Sequence, residues 1–165
     1  MELLNVYDND GNLTDRVVPR GDKSIVLGDN EHIGVVVVFI ENSKGEFLIQ
    51  KTSVEKGSEY SSTGGHVDAG ETHLTSILRE IKEEIGIQVE ENELEYLGFL
   101  LYDKPIRFMY YLKKDINVED IVTQEEEVDF VKYMSVSEIQ DIIDKGEMTK
   151  SHGIIFNKIL ELKNK

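Results

Sequence analysis

The chain has 165 residues, of which 39% are hydrophobic and 31% charged, a composition typical of a soluble globular domain. Its 33 acidic and 18 basic residues give a formal charge of −15, which argues against polymeric DNA or RNA as a partner. The absence of cysteine excludes disulfides, thiolate metal sites and a cysteine nucleophile. Because the chain has neither a long apolar run nor an N-terminal signal pattern, we expect one cytoplasmic domain, residues 1–165, without a membrane partner. The oligomeric state cannot be read from these features.

The first third of the chain is predicted to consist mainly of strands. The segment over residues 33–40 is rich in β-branched residues, and it predicts a strand that is buried on both faces. Two further strands are predicted over residues 3–7 and 46–51, the second of which forms a hairpin with 33–40. A polar loop over residues 52–63 then leads to Gly64 and Gly65.

From residue 71 to residue 85 the pattern becomes helical. Apolar residues recur there at spacings of three and four, at Leu74, Ile77, Leu78, Ile81 and Ile85. Later strands are predicted over residues 94–102, 106–112 and 128–134, followed by helices after Ser135 and over about 152–162. Mixed strands with helices on either side predict an α/β/α sandwich built on a mixed β-sheet.

Three glutamates lie on one face of the predicted helix. At about 100° per residue, Glu80, Glu83 and Glu84 fall within an arc of roughly 100°, beside the apolar stripe and therefore at the edge of a cleft. Like charges at this spacing repel one another, and a hard divalent cation such as Mg²⁺ or Mn²⁺ would compensate them. A solvated acidic helix face is the alternative for these three residues taken alone.

The residues around these glutamates resemble the Nudix box. The box begins with a glycine, five residues of any kind, a glutamate and seven more residues of any kind. An Arg-Glu pair, an aliphatic residue, one residue of any kind and a Glu-Glu pair follow. One further residue, a glycine and a second aliphatic residue complete it. The matching positions here are Gly65, Glu71, Arg79, Glu80, Ile81, Glu83, Glu84, Gly86 and Ile87. This resemblance implies a Nudix-type sandwich and a hydrolase that cleaves the pyrophosphate linkage of a small nucleoside diphosphate derivative.

The resemblance also implies roles for individual residues. The metal ligands would be Glu80, Glu83, Glu84 and the carbonyl of Gly65, with Mg²⁺ or Mn²⁺ as the cofactor. Glu71 would support the site through a salt bridge with Arg79. Gly65 and Gly70 would permit the backbone geometry of the loop, whose glycine-rich turn lets the carbonyl of Gly65 approach the cation. The catalytic set would be Arg79, Glu83, Glu84 and Glu127. Glu127 is a candidate for the base from outside the box, in an acidic run at residues 125–127 for which a solvated loop is the alternative.

Substrate-binding residues are less strongly indicated. Arg20, Lys51 and Lys56 are the cationic candidates for binding phosphate, and each could equally be a surface charge. His66 could orient the substrate or serve a structural role, and His73 is expected at the surface. Tyr102 lies at a spacing after the box that resembles that of dinucleoside polyphosphate hydrolases, with strand packing as the alternative.

Segments outside the box are similar to the subgroup that resembles isopentenyl diphosphate isomerase. They include residues 5–12, residues 20–22 and residues 61–67. An isomerase is therefore the first rival to a hydrolase, but the related isomerases use a cysteine as acid or base, and this chain has none. The second rival is a non-catalytic nucleotide-binding module, for which damaged boxes are typical, whereas the box here is intact.

Overall fold

The computed structural model describes residues 2–123 and 128–163. Its strands are β1 (Leu3–Tyr7), β2 (Leu13–Pro19), β3 (His32–Glu41), β4 (Phe47–Thr52), β5 (Tyr60–Ser61), β6 (Thr63–His66), β7 (Leu94–Leu101), β8 (Ile106–Lys113) and β9 (Val128–Met134). Its helices are α1 (His73–Ile85), α2 (Val136–Asp144) and α3 (Lys150–Lys163). No helix within the described ranges is long and apolar enough to span a membrane.

The sheet is built around β3, which is almost entirely buried as predicted. From Gly34 to Glu41 it pairs in parallel with β8, and β7 pairs antiparallel with the outer side of β8. On its other side β3 pairs antiparallel with β6 and with β1, and β2 extends the sheet beyond β1. The sheet is therefore mixed, as predicted.

The hairpin of β3 and β4 opens into a cleft. The two strands pair only at Glu41 and Phe47, next to the turn. Beyond that pair β3 is paired with β6, whereas β4 is paired with β5 and β9. The two parts of the sheet diverge, and the space between β6 on one side and β4 and β5 on the other is the cleft in which the candidate site lies.

Helices cover both faces of the sheet, because alternate side chains of β3 point in opposite directions. Val36 and Val38 pack in the cluster that contains the buried residues of α1. Val37 and Phe39 pack in a second cluster with buried residues of α2 and α3. This arrangement confirms the predicted α/β/α sandwich.

The predictions of a loop over residues 52–63 and of a glycine-rich turn after it were partly wrong. The segment contains a 3-10 turn, Val54–Lys56, and the two-residue strand β5. Gly64 and Gly65 lie in strand β6, paired with Val37 and Val36, instead of in a turn. The pattern could not predict these strands because glycine has a low strand propensity and both strands are too short to show a period of two.

Candidate active site

Helix α1 carries the three candidate metal-binding glutamates, and both of its ends are capped. Thr72 accepts a hydrogen bond from the backbone N–H of Thr75, so the helix begins just after it, and Gly86 ends the helix in the left-handed conformation. The apolar stripe is buried as predicted, with Ile77, Ile81 and Ile85 inaccessible to solvent. Packing of the stripe against the sheet fixes the rotation of the helix and directs its acidic face toward the cleft.

Arg79 contacts four carboxylates at this face. Its Nε and Nη2 donate to the two oxygens of Glu71 at 2.8 and 3.0 Å, so the predicted ion pair is present and bidentate. Its Nη1 donates to Glu80 at 2.9 Å and to Glu83 at 3.2 Å, and Asp68 lies 3.4 Å from Nη2. The hydrogen bonds between Arg79 and Glu71 raise the pKa of Arg79 and lower that of Glu71.

The loop between β6 and α1 is braced from both of its ends. Glu71 accepts a hydrogen bond from the backbone N–H of Asp68 at 3.2 Å, which closes the loop on itself. The buried Asn5 of β1 donates from Nδ2 to the carbonyl of Glu71 at 2.9 Å. Gly70 has a φ of +89°, a backbone conformation that a residue with a Cβ rarely adopts. These features are consistent with the predicted structural roles of Glu71 and Gly70 in this loop.

Gly65 lies in a strand and not in the expected turn, and its lack of a side chain matters for another reason. Its position in β6 needs no unusual backbone conformation, but a Cβ at this residue would clash with a carboxylate oxygen of Glu80. Glycine therefore lets β6 and the Glu80 side chain approach this closely, whereas a larger residue would require the Glu80 side chain to move. This contact brings the backbone of Gly65 next to a carboxylate of α1, which is what a shared metal site would need.

The three glutamates have different surroundings. The Glu80 side chain is only 12% exposed, and burial raises its pKa while Arg79 opposes this effect. The Glu83 side chain is 49% exposed. Glu84 accepts a hydrogen bond from Nε2 of Gln50 at 3.1 Å, and the N–H of Gly64 lies 3.4 Å from the same oxygen.

Gln50 was not predicted as a site residue. Its Nε2 faces Glu84 and the carbonyl of Ser62, both of which can only accept, so the orientation of the amide follows from its neighbours. Its Oε1 is buried and has no hydrogen-bond partner in the described part of the chain. A buried acceptor without a donor is costly, so the position of Gln50 trades stability for its contact with Glu84.

The cleft has two connected lobes. The acidic lobe has a volume of about 300 Å³ and is lined by Glu2, Arg20, Gly64, Gly65, His66, Asp68, Arg79, Glu80, Glu83 and Glu84. The basic lobe has a volume of about 490 Å³ and is lined by Arg20, Val35, Gln50, Thr52, Lys56, Ser61, Ser62, Gly64, Gly65, His66, Glu84, Pro105, Arg107, Val128, Thr149 and His152. All of the box residues predicted to bind metal line the acidic lobe.

The predicted substrate-binding residues divide into two groups. Arg20 and His66 line both lobes, and Lys56 lines the basic lobe. Lys51 lines neither lobe, because its Nζ lies over the ring of Tyr60, 4.5 Å from the centroid. Tyr102 lines neither lobe either, but its ring lies 5.6 Å from the guanidinium carbon of Arg107, which does line the cleft.

The external base candidate, Glu127, and its neighbours at residues 125 and 126 lie outside the described residues. The next residue, Val128, is the first of β9 and lines the basic lobe. The role of Glu127 stays a prediction.

Arg107 and His152 were also not predicted. Arg107 interrupts the otherwise apolar strand β8, and a charged residue within a central strand is a signal that it faces a cleft. No comparable signal marks His152, which lies in the first turn of α3. It reaches the cleft because its Nδ1 accepts a hydrogen bond from the backbone N–H of Ser62 at 2.9 Å.

His73 is not the surface residue expected from its position. Its ring stacks on Phe108 with centroids 4.2 Å apart and 6° between the planes. Its Nδ1 is also hydrogen-bonded to the hydroxyl of Tyr110. Both aromatic partners come from β8, which is distant in the sequence, and for this reason the helical pattern alone could not place the ring.

The donor set suits a hard divalent cation. The candidate ligands are carboxylate and carbonyl oxygens, which Mg²⁺ and Mn²⁺ prefer. Within residues 2–123 and 128–163, however, no three His, Asp or Glu side chains converge into a ready metal site. Glu80 and Glu83 are hydrogen-bonded to Arg79 and Glu84 to Gln50, so side-chain rearrangement must accompany metal binding.

Three partly buried histidines predict that mild acid destabilises the protein. Burial lowers the pKa of His66 and His73, and lowers that of His152 from 6.5 to about 4. As the pH falls below 6.5, these histidines bind protons in the unfolded chain but stay neutral in the folded chain. The free energy of unfolding therefore decreases. For His152 the loss is complete near pH 4 and amounts to at most about 3 kcal/mol.

Urea unfolding at pH 7.5, 6.0 and 5.0 measures this effect, in a range above the pKa values of most carboxylates. The variant His152→Gln keeps an acceptor for Ser62 and cannot titrate, so we expect its stability to fall less than that of the wild type. Equal losses in both proteins over this range would show that His152 is not held neutral by burial.

Comparison with known proteins now adds to this geometry. The sequence model described as the NUDIX domain matches residues 30–155, which includes all three helix glutamates and both lobes of the cleft except their N-terminal rim. The chain belongs to the Nudix family. Its Nudix box extends from β6 through α1, and the acidic face of α1 is directed toward the cleft.

Relatives and solved structures agree with the Nudix assignment. An uncharacterised Nudix hydrolase of Listeria innocua is 28% identical over 99% of this chain and 96% of its own length. The asymmetrical bis(5'-nucleosyl)-tetraphosphatase of Mus musculus is 34% identical over 52% of this chain and 63% of its own length. The DR0079 protein of Deinococcus radiodurans superposes with a TM-score of 0.78 at 17% identity, covering 95% of this chain and 98% of its own. The chain has the Nudix fold and is a Nudix pyrophosphohydrolase.

Proposed function

We propose that this Nudix hydrolase cleaves the pyrophosphate linkage of a small nucleoside diphosphate derivative with the help of Mg²⁺ or Mn²⁺. The observation that carries the proposal is the acidic lobe, a cavity of about 300 Å³ that is lined by the three glutamates of α1 together with Gly65. Its carboxylates would repel a diphosphate by themselves, so the substrate is expected to enter together with cations that offset this charge.

Glu80, Glu83, Glu84 and the carbonyl of Gly65 would hold the metal. When bound, the metal neutralises the phosphate oxygens and lowers the pKa of a bound water. Arg79 has a positioning role, since the N–H groups of its guanidinium hold Glu71, Glu80 and Glu83 in place. Gln50 holds Glu84 in the same way from the opposite side of the cleft.

A proton acceptor is also needed to activate water. Glu83 and Glu84 are the candidates within the box, and Glu127 is the candidate outside it. On the substrate side, Arg20 and His66 are placed where the two lobes meet, and we assign them to contact with the phosphates.

The subgroup that resembles isopentenyl diphosphate isomerase remains part of this proposal, with hydrolysis in place of isomerisation. The cysteine on which the related isomerases depend is absent from the whole sequence. We further propose that residues 1–165 act as one domain in the cytoplasm, on a small molecule rather than on polymeric nucleic acid.

A panel of nucleoside diphosphate derivatives tests the proposal. Nucleotide sugars, ADP-ribose, nucleoside triphosphates and dinucleoside polyphosphates are incubated with the protein and Mg²⁺ or Mn²⁺, and the products are separated by chromatography. We expect at least one substrate to yield a nucleoside monophosphate, with no turnover after addition of a chelator. Conversion of isopentenyl diphosphate to its isomer, without hydrolysis of any panel member, would overturn the proposal.

A further inference from the structure

The two lobes of the cleft carry opposite charge. Among the described residues, the acidic lobe is lined by five carboxylates against two guanidinium groups. The basic lobe is lined by Arg20, Lys56 and Arg107. Within residues 2–123 and 128–163, its one carboxylate is Glu84 at the boundary with the acidic lobe. In a chain with almost twice as many acidic as basic residues, such a basic surface does not follow from the overall composition.

Arg107 is the cation placed deepest in this lobe. It is half-buried, and none of the described carboxylates forms an ion pair with it. Its guanidinium lies over the ring of Tyr102, and its Nε donates at 3.4 Å to the carbonyl of the same residue. Burial lowers the pKa of Arg107, and the opposing effects of Asp103 and Tyr102 do not cancel this shift. The charge is thus positioned but not neutralised by the described part of the chain.

His152 adds a neutral donor to the same lobe. Its Nδ1 accepts the N–H of Ser62, so the proton of the neutral ring must be on Nε2. Burial and the neighbouring Arg107 lower the pKa of His152 to about 4, which keeps the ring neutral at physiological pH. The first turn of α3, which contains His152 and follows the lining residue Thr149, also favours a negative charge nearby.

We propose that the basic lobe binds a phosphate group of the substrate other than the two phosphates whose linkage is broken in the acidic lobe. Arg107 would bind this group through two donors of its guanidinium, and His152 would donate to it from Nε2. The inference rests on the proposed function, and it narrows the substrate class to derivatives with an additional phosphate, either in a longer polyphosphate chain or on the group beyond the diphosphate.

Direct binding of inorganic phosphate tests the site without hydrolysis. Calorimetric titration of the full chain at pH 7.5, in the absence of divalent cations, is compared for the wild type and for Arg107→Gln. We expect a loss of about tenfold or more in phosphate affinity, because a charge-assisted hydrogen bond is lost. Lys145→Gln is the matched control, since it removes the same charge from an exposed residue of the loop after α2 and should leave the affinity unchanged.

Activity measurements then distinguish the extra phosphate from the cleaved pair. For two substrates that differ by one phosphate, Arg107→Gln should raise the KM of the longer substrate and leave that of the shorter one unchanged. Arg107→Lys keeps the charge but not the planar fork, and it should retain part of the affinity; it also serves if the glutamine variant does not fold. Equal effects on both substrates, or phosphate binding that does not depend on residue 107, would overturn the proposal. Phosphate binding without any hydrolysis would instead contradict only the proposed function.

Discussion

Replacement of Glu83 or Glu84 by glutamine is expected to lower the Mg²⁺-dependent rate of hydrolysis by about 10²- to 10³-fold or more, because metal catalysis contributes several kcal/mol. Glutamine has the shape of glutamate but is a poorer ligand for a hard cation. The fold should survive both changes, since Glu83 is half exposed and a glutamine at 84 can still accept from Gln50.

Initial rates over a range of Mg²⁺ concentrations measure the effect, with circular dichroism to verify folding. Glu161→Gln is the matched control, because it removes one carboxylate from the exposed side of α3, far along the chain from the box. The control should keep the wild-type rate. Full activity in both box variants would mean that these glutamates are not metal ligands, whereas a general loss of structure would assign them a role in folding.

Replacement of Arg79 by alanine should affect stability and activity together. The substitution leaves Glu71, Glu80 and Glu83 without their shared cation, and Glu80 is nearly buried. We expect a loss of about 2–3 kcal/mol in the free energy of unfolding, less than for a fully buried pair because Arg79 is partly exposed. Activity should fall as well, since the glutamates lose their positioning residue.

Two further variants separate these effects. Arg79→Lys keeps the charge but cannot form the bidentate pair with Glu71 together with the contact to Glu80, so we expect only partial rescue of the rate. In a double-mutant cycle with Glu71→Gln, the stability losses should be far from additive, because the two residues act as one pair. Additive losses, or full rescue by lysine, would show that the bidentate geometry is not what matters.

Saturating Mg²⁺ should restore part of the stability of Arg79→Ala, since a cation can replace the lost charge.

The box helix illustrates what local pattern can predict. The spacing of the apolar stripe correctly predicted which side of α1 is buried, and hence that Glu80, Glu83 and Glu84 border a cleft. The ion pair between Glu71 and Arg79 was also predicted, from the resemblance to the Nudix box, and is present. These features depend on residues that are close in sequence, where the helix period by itself determines the neighbours.

The basic lobe illustrates what such a pattern cannot predict. Gln50, Arg107 and His152 come from β4, β8 and α3, and none of them lies within the box. The lobe exists because β3 and β4 separate beyond their hairpin, which the alternation of apolar residues does not reveal. The same limit explains why Lys51 was assigned to the substrate and is instead packed on Tyr60, since the direction of its side chain depends on the pairing of β4 with β5.

The sequence by itself determined the family, the reaction class and the set of acidic residues, because these are properties of residue type and of spacing along one helix. The tertiary structure decided which distant residues share the cleft, how the glycine at residue 65 lets Glu80 approach strand β6, and where positive charge collects in an acidic protein. The physical reason is that contacts between elements depend on strand pairing and on the packing of helices against the sheet. Both arise from the whole core, whereas a motif reports only on its own segment.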